Sequence, residues 1–206
     1  IDENVPAILN TWHLGTRAGD AVADILSGET NPSGKLTATF PRNVGQIPIY
    51  YSHKKTGRPY DPNDGYTSRY LDVPNSPLYP FGYGLSYTTF EYSNMQVDKE
   101  KMGFGEPLTV TVNVKNTGDR KGEEVVQLYT RDMVGSVTRP VKELKGFRKI
   151  ALEPGQERRV QFTLSSDDLR FYTADMEYQA EPGKFKVFVG TSSADVMEKS
   201  FELVGK

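Results

Sequence analysis

The stretch LTVTVNVKNTG, Leu108 to Gly118, decides the fold. Leu108, Val110, Val112 and Val114 alternate with Thr109, Thr111, Asn113 and Lys115. A period of two is that of a strand with one face in a core and the other in water. Asn116-Thr117-Gly118 then supplies turn chemistry. The same alternation recurs downstream. Val160, Phe162 and Leu164 alternate with Gln161 and Thr163, and Phe185, Val187 and Val189 run up to Gly190. Val125 to Tyr129 and Phe201 to Leu203 add further short strands, and Asp167 to Tyr172 reads as a single helical turn between strands.

About seven short strands, broken by Gly, Pro and Asp at intervals of about ten residues, predict a β-sandwich of immunoglobulin or fibronectin III type over residues 88–206. The chain has no Cys, so such a sandwich stands on its apolar core alone.

Upstream the text changes. Val5 to Leu9 reads as a short buried strand, Thr16 as a helix N-cap, and Ala18, Ala21, Val22, Ile25 and Leu26 as one face of an amphipathic helix stopped by Gly28. The turn Asn31-Pro32-Ser33-Gly34 leads into a strand from Lys35 to Phe40. Strand, helix and strand in this order predict a βαβ unit. One such unit cannot cover both faces of its sheet, so residues 1–50 are expected to be the C-terminal piece of a larger αβα sandwich domain. Residues 51–87 continue a Pro-, Tyr-, Asn- and Gly-rich stretch without period. It is too aromatic for a flexible spacer and is expected to be an ordered connector packed over a surface.

The bulk composition narrows the function. The 206 residues carry a net charge of −2 with basic and acidic residues interspersed, so no basic stripe is offered to nucleic acid. No apolar run approaches the roughly 20 residues that cross a bilayer. Without Cys, and with His13 and His53 as the two histidines, neither a metal site nor a cofactor is expected.

Several long motifs fall in a specific order: NPSGKLTATFP (Asn31 to Pro41), GQIPIYYSH (Gly45 to His53), GRPYDPNDGYTSRYLD (Gly57 to Asp72) and PLYPFGYGLSYTTF (Pro77 to Phe90). Together these resemble family 3 glycoside hydrolases, nearest to the periplasmic β-glucosidase type of Gram-negative bacteria. RPVKELKGFRKIALEPG (Arg139 to Gly155) and EPGKFKVFVGTSS (Glu181 to Ser193) are similar to the fibronectin III-like domain that ends many of these enzymes. The resemblance implies an N-terminal barrel, a middle αβα sandwich and a terminal fibronectin III-like domain, of which this chain holds the end of the second and all of the third. It implies a periplasmic or secreted protein, with the barrel and the rest of the α/β domain as partners and oligosaccharide as substrate. A homodimer through the sandwich is compatible with that picture. It also implies that the nucleophile and the acid/base lie outside the segments matched here, so no catalytic residue is assigned to this chain.

Retaining glycosidases need two carboxyl groups about 5–5.5 Å apart. Glu123 and Glu124 are neighbours on a strand and point to opposite faces, while Asp167 and Asp168 sit where acids favour a helix start. Neither pair is expected to do chemistry. His13, beside Trp12 at an expected strand end, reads better as a satisfied, partly buried histidine than as a ligand. Ser33 lacks the partners of a serine hydrolase. Gly82-Tyr83-Gly84 lacks the Lys and following helix of a phosphate loop.

The connector segment is different: Tyr60, Asp61, Asp64, Tyr66, Arg69, Tyr70 and Asp72 crowd into thirteen residues. Ring faces with Asp and Arg are the inventory of a sugar site, and Tyr60, Asp61, Tyr66 and Arg69 are its candidate rim residues. The plainer alternative is that Arg69 and Asp72 pair with each other or glue domains together. The resulting expectation is an accessory region of a β-glucosidase, inactive alone. The competing one is a non-catalytic carbohydrate-binding or adhesion module, which would have no reason to carry residues 1–50.

Overall fold

The computed structural model describes residues 4–55 and 57–205. One α-helix, α1 (Ala18–Ser27), precedes ten strands: β1 (Phe90–Val97), β2 (Lys101–Gly103), β3 (Leu108–Asn116), β4 (Gly122–Asp132), β5 (Glu143–Leu152), β6 (Glu157–Leu164), β7 (Phe171–Tyr172), β8 (Tyr178–Gln179), β9 (Gly183–Gly190) and β10 (Val196–Val204). One sheet has the order β1-β3-β6. The other has the order β2-β10-β9-β4-β5, and β7-β8 is a separate hairpin. Every pairing is antiparallel except that of β2 with β10, which is parallel. The first edge of the sandwich is therefore split, with β1 in one sheet and β2 in the other. A bulge between Ser93 and Gln96, with Asn94 at φ 52°, turns Met95 into the core.

The alternating residues meet between the sheets as expected. Leu108, Val110, Val112 and Val114 of β3 are fully buried, facing Val126 and Leu128 of β4, Val187 and Val189 of β9, and Leu203 of β10. Phe185 and Phe201, paired across β9 and β10, stack with ring centres 5.4 Å apart. Each aliphatic or aromatic side chain so buried contributes about 1.5–3 kcal/mol. The turn around Asp167 is a short 3-10 helix, Ser166–Leu169. Its capping box puts the Asp168 carboxylate on the Ser165 N–H and hydroxyl, at 2.7 and 2.8 Å.

The N-terminal segment departs from expectation in three places. Residues 5–9 are exposed and not in a strand, because a strand needs a neighbour for its N–H and C=O groups and no described residue supplies one. Lys35 to Phe40 is likewise not a ladder strand. Its backbone bonds locally to a turn instead, with Leu36 N–H on Tyr83 O and Gly82 N–H on Leu36 O, both at 2.7 Å, and one bridge between Phe40 and Tyr79. The helix is present, but Arg17 rather than Thr16 is its N-cap, and no side-chain bond caps it. Gly28 ends it as expected, in the left-handed region at φ 81°. No residue of α1 is buried.

Candidate functional site

The connector lies across the outer face of the five-stranded sheet. That explains why β4 is buried on both faces: Val126 and Leu128 point into the core, while Gln127 and Tyr129 point outward under the connector. The Tyr51 ring stacks on Phe81 at 4.4 Å and meets Tyr129 edge-on at 5.7 Å. The Tyr51 hydroxyl accepts the Leu144 N–H at 3.3 Å. The Gln127 amide donates to Gly82 O at 3.1 Å and Thr191 O at 2.6 Å, and its oxygen accepts the Tyr129 hydroxyl at 2.5 Å. Burial pushes the Tyr129 phenol well above its ordinary pKa, so it stays a donor.

At the end of the sandwich near Thr88, Asn31 ties three segments together. Its amide donates to Lys121 O at 2.9 Å, and its oxygen accepts the Ser86 hydroxyl at 2.8 Å and the Tyr87 N–H at 2.7 Å. Beside it Lys35 Nζ meets Glu124 Oε2 at 3.1 Å, and the Tyr92 hydroxyl donates to Glu124 Oε1 at 2.9 Å. Burial, and then the Glu124 carboxylate, raise the Tyr92 pKa far above the usual phenol range. Glu123 is turned the other way, onto Lys149 at 2.7 Å and the Ser33 hydroxyl at 3.3 Å. The Lys149 bond chiefly holds its pKa down. Ser33 is thus a donor to a carboxylate. Asp167 pairs with Arg170. These four carboxylates are engaged in contacts within the chain.

Residues 57–72 project from this frame as a loop closed on itself. Asp61 Oδ1 accepts the Asn63 N–H and Asp64 Oδ1 the Tyr66 N–H, each at 2.9 Å. The Thr67 hydroxyl bridges Asp61 and Asp64. The base of the loop is clamped by Asn75, which accepts the Tyr70 N–H at 3.0 Å and donates to Ser68 O at 2.9 Å. Behind it sits Gln46, fully buried, accepting the Arg42 N–H at 2.5 Å and donating to Pro74 O at 2.9 Å. Neither Gln46 nor Asn75 stood out in the sequence, because their partners are backbone N–H and C=O groups that almost any residue could offer.

The candidate residues share this loop, and all four are exposed. Tyr60 is half exposed and Tyr66 is 86% exposed. Asp61 is committed to the turn. Among the described residues Arg69 makes no hydrogen bond or ion pair, and it is not paired with Asp72. His13 is exposed rather than partly buried, because the Trp12 ring turns away to meet Phe40 edge-on at 6.2 Å. From there a ladder of rings continues, Phe40 to Tyr79 at 6.2 Å and Tyr79 to Tyr83 at 5.3 Å. Along α1, Trp12, Leu14, Val22 and Leu26 border an open apolar trough.

Comparison with known proteins gives these features a family setting. Residues 1–87 match the glycosyl hydrolase family 3 C-terminal domain, and residues 124–193 match the fibronectin type III-like domain. The chain is 53% identical over 205 residues to a periplasmic beta-glucosidase of Salmonella typhimurium, covering 98% of this chain and 27% of that protein. A putative beta-xylosidase of Formosa agariphila is 45% identical over 203 residues, 26% of its length. The crystal structure of beta-glucosidase from Listeria innocua in complex with glucose superposes with a TM-score of 0.88 at 49% identity, over 93% of this chain and 27% of that one. The chain thus spans about a quarter of the length of these relatives.

Proposed function

The chain belongs to glycoside hydrolase family 3, as a C-terminal region ending in a fibronectin III-like domain, and from that premise we propose that it is the accessory part of a retaining β-glucosidase acting on terminal β-D-glucosyl residues of oligosaccharides. The observation that carries this reading is the 53% identity to a periplasmic beta-glucosidase along nearly the whole chain. Its relatives' greater length supports a partner in the same protein: a barrel and the rest of an α/β layer. Residues 1–50 close that layer, with the bare face of α1 turned to it, residues 51–87 form the connector, and residues 88–206 prop both. The same relative supports a periplasmic or secreted location. The β-xylosidase relatives, at 45% and 47% identity, favour β-xyloside as the second substrate to try.

In this arrangement the chain supplies no nucleophile, and its loop 57–72 sets Tyr60, Asp61, Tyr66 and Arg69 at the rim of the complete active site. The test is hydrolysis of aryl β-glucoside and aryl β-xyloside by pure residues 1–206 and by the longer protein. Turnover is expected from the longer protein alone. A rate above buffer from residues 1–206, lost on unfolding, overturns the reading.

A further inference from the structure

The β7–β8 hairpin holds two tyrosine rings in water where the core would have welcomed them. Tyr172 and Tyr178 face each other across the hairpin with ring centres 5.1 Å apart, and they are 62% and 56% exposed. The hairpin beneath them is held firmly. Phe171 is buried with the Arg139 guanidinium 3.9 Å over its ring. Thr173 N–H bonds Glu177 O and Met176 N–H bonds Thr173 O, each at 3.0 Å, and the Ser136 hydroxyl accepts the Ala174 N–H at 3.2 Å. Rings fixed in this way lose little freedom when something settles on them.

Beside the rings opens a cleft of about 520 Å³, lined by Tyr178, Arg170, Gln179, Glu181, Phe104 and Pro182 among others. Its polar groups are partly spent. Arg170 gives one nitrogen to Asp167, and Glu181 Oε2 accepts the Ser136 N–H at 2.7 Å, which leaves other guanidinium donors and Oε1 open. The charges balance poorly for an ion: Glu181 and Asp167 oppose an anion, and Arg170 opposes a cation. Donors, acceptors and an amide with both suit a neutral ligand whose hydroxyl groups donate and accept. The negative faces of the Tyr rings suit polarised C–H groups. The cleft shares no lining residue with the connector, although the connector reaches the base of the hairpin, where Lys54 bridges Pro140 and the His53 carbonyl accepts the Val141 N–H at 2.9 Å.

We propose that this cleft and the Tyr172–Tyr178 pair, built from residues other than those of the 57–72 loop, form a saccharide-binding site on the fibronectin III-like domain, which takes a segment of a neutral β-linked glycan. The choice of a glycan rests on the glycosidase reading above, and the site itself rests on the hairpin and cleft. Its work would be to hold a polymer near the enzyme and raise the local concentration of chain ends.

The test is native affinity electrophoresis of the 206-residue chain in gels containing hydroxyethyl cellulose, laminarin or arabinoxylan. At least one of these polymers is expected to retard the chain. Tyr178→Ala and Tyr172→Ala are expected to weaken that retardation about ten-fold, Gln179→Ala more modestly, and Phe147→Ala, which removes an exposed ring on β5 outside both sites, not at all. Both tyrosines are exposed, and matching thermal melts check that the variants stay folded. Retardation by none of the polymers overturns the proposal. So does retardation that survives the Tyr172→Ala/Tyr178→Ala pair, or self-association of the parent chain that Tyr178→Ala abolishes. No turnover is read in this experiment, so its failure leaves the glycosidase reading standing, and an inactive enzyme would leave the binding result standing.

Discussion

Lys35 Nζ lies 3.1 Å from Glu124 Oε2, with 13% and 3% of the two side chains exposed. This pair joins the segment before the connector to the second strand of the five-stranded sheet, and the Tyr92 hydroxyl completes it from the opposite sheet. An ion pair so far out of water has a cost of its own, and removing one partner leaves the other charge stranded.

Lys35→Ala is therefore expected to destabilise the chain by about 3–5 kcal/mol. The double change Lys35→Met with Glu124→Leu is expected to cost much less than the two single changes together. Chemical denaturation of the parent, Lys35→Met, Glu124→Leu and the double variant measures the coupling. A Lys35→Ala cost within about 0.5 kcal/mol of zero would show that residues 31–36 are not anchored by charge.

Gly82 is the second anchor. It sits at φ 80°, and a Cβ there would run into the Gln127 amide that receives the connector. Gly82→Ala combines left-handed strain with that collision and is expected to cost about 2 kcal/mol or more. Faster proteolysis of the connector should accompany it. An unchanged melting temperature would mean that the Gln127 contact is not required.

The sequence showed which strands have one wet face and one dry face, since alternation is written in consecutive residues. β5 escaped because it is an edge strand, and Lys145, Arg148 and Lys149 with Gly146 blur its period. The double burial of β4 was equally hidden: nothing in the sequence of Val125 to Tyr129 shows that Tyr51 and Phe81 lie over its outer face. The flanking strands beside α1 failed for a related reason, because strand pattern without a strand neighbour makes no ladder. The rim candidates Tyr60, Asp61, Tyr66 and Arg69 lie on one loop, as their nearness in sequence requires. Their clamps, Gln46 and Asn75, act on backbone N–H and C=O groups and leave no pattern. In the sequence Tyr172 reads as the end of a helical turn and Tyr178 carries no signal, and their exposure follows only from the hairpin's place outside both sheets.

Asp132 offers a pH test of the loop beneath the hairpin. It is 7% exposed, with Oδ1 accepting the Val134 N–H at 3.1 Å and Oδ2 3.9 Å from Arg139 Nε. Burial raises its pKa and outweighs both the Val134 bond and the Arg139 charge. Between the ordinary Asp value of about 3.9 and the raised one, the folded state binds more protons than the unfolded state. This group therefore lowers stability as pH rises through that window, and its full cost is present above it. Asp132→Asn can keep the Val134 bond and removes the charge. The melting temperature of the variant, relative to the parent, should rise by a few degrees from about pH 3.5 to pH 7. A difference that falls with pH would mean that the attraction of Arg139 dominates.

The rim loop separates two roles through kinetics. Pro59 and Pro62 restrict its backbone, Gly57 and Gly65 allow its turns, and Asp61 and Asp64 lock those turns internally. What remains turned outward is Tyr66, at 86% exposure, and an Arg69 without a partner among the described residues. In residues 1–206 alone, Tyr66→Ala and Arg69→Ala are expected to leave the melting temperature unchanged, since neither side chain supports the loop. If the loop forms the rim of a longer glycosidase, as proposed, contact with substrate beyond the cleaved sugar would be lost there. The kcat/KM for an oligosaccharide should then fall about ten-fold while that for a small aryl glucoside changes little, because only the longer substrate reaches the rim. Docking of the loop onto another domain gives the opposite pattern, a lower melting temperature of the complete enzyme with an unchanged ratio between the two substrates. That ratio, measured for both variants beside thermal unfolding, decides between the roles, and an unchanged ratio in both would make the loop a domain contact.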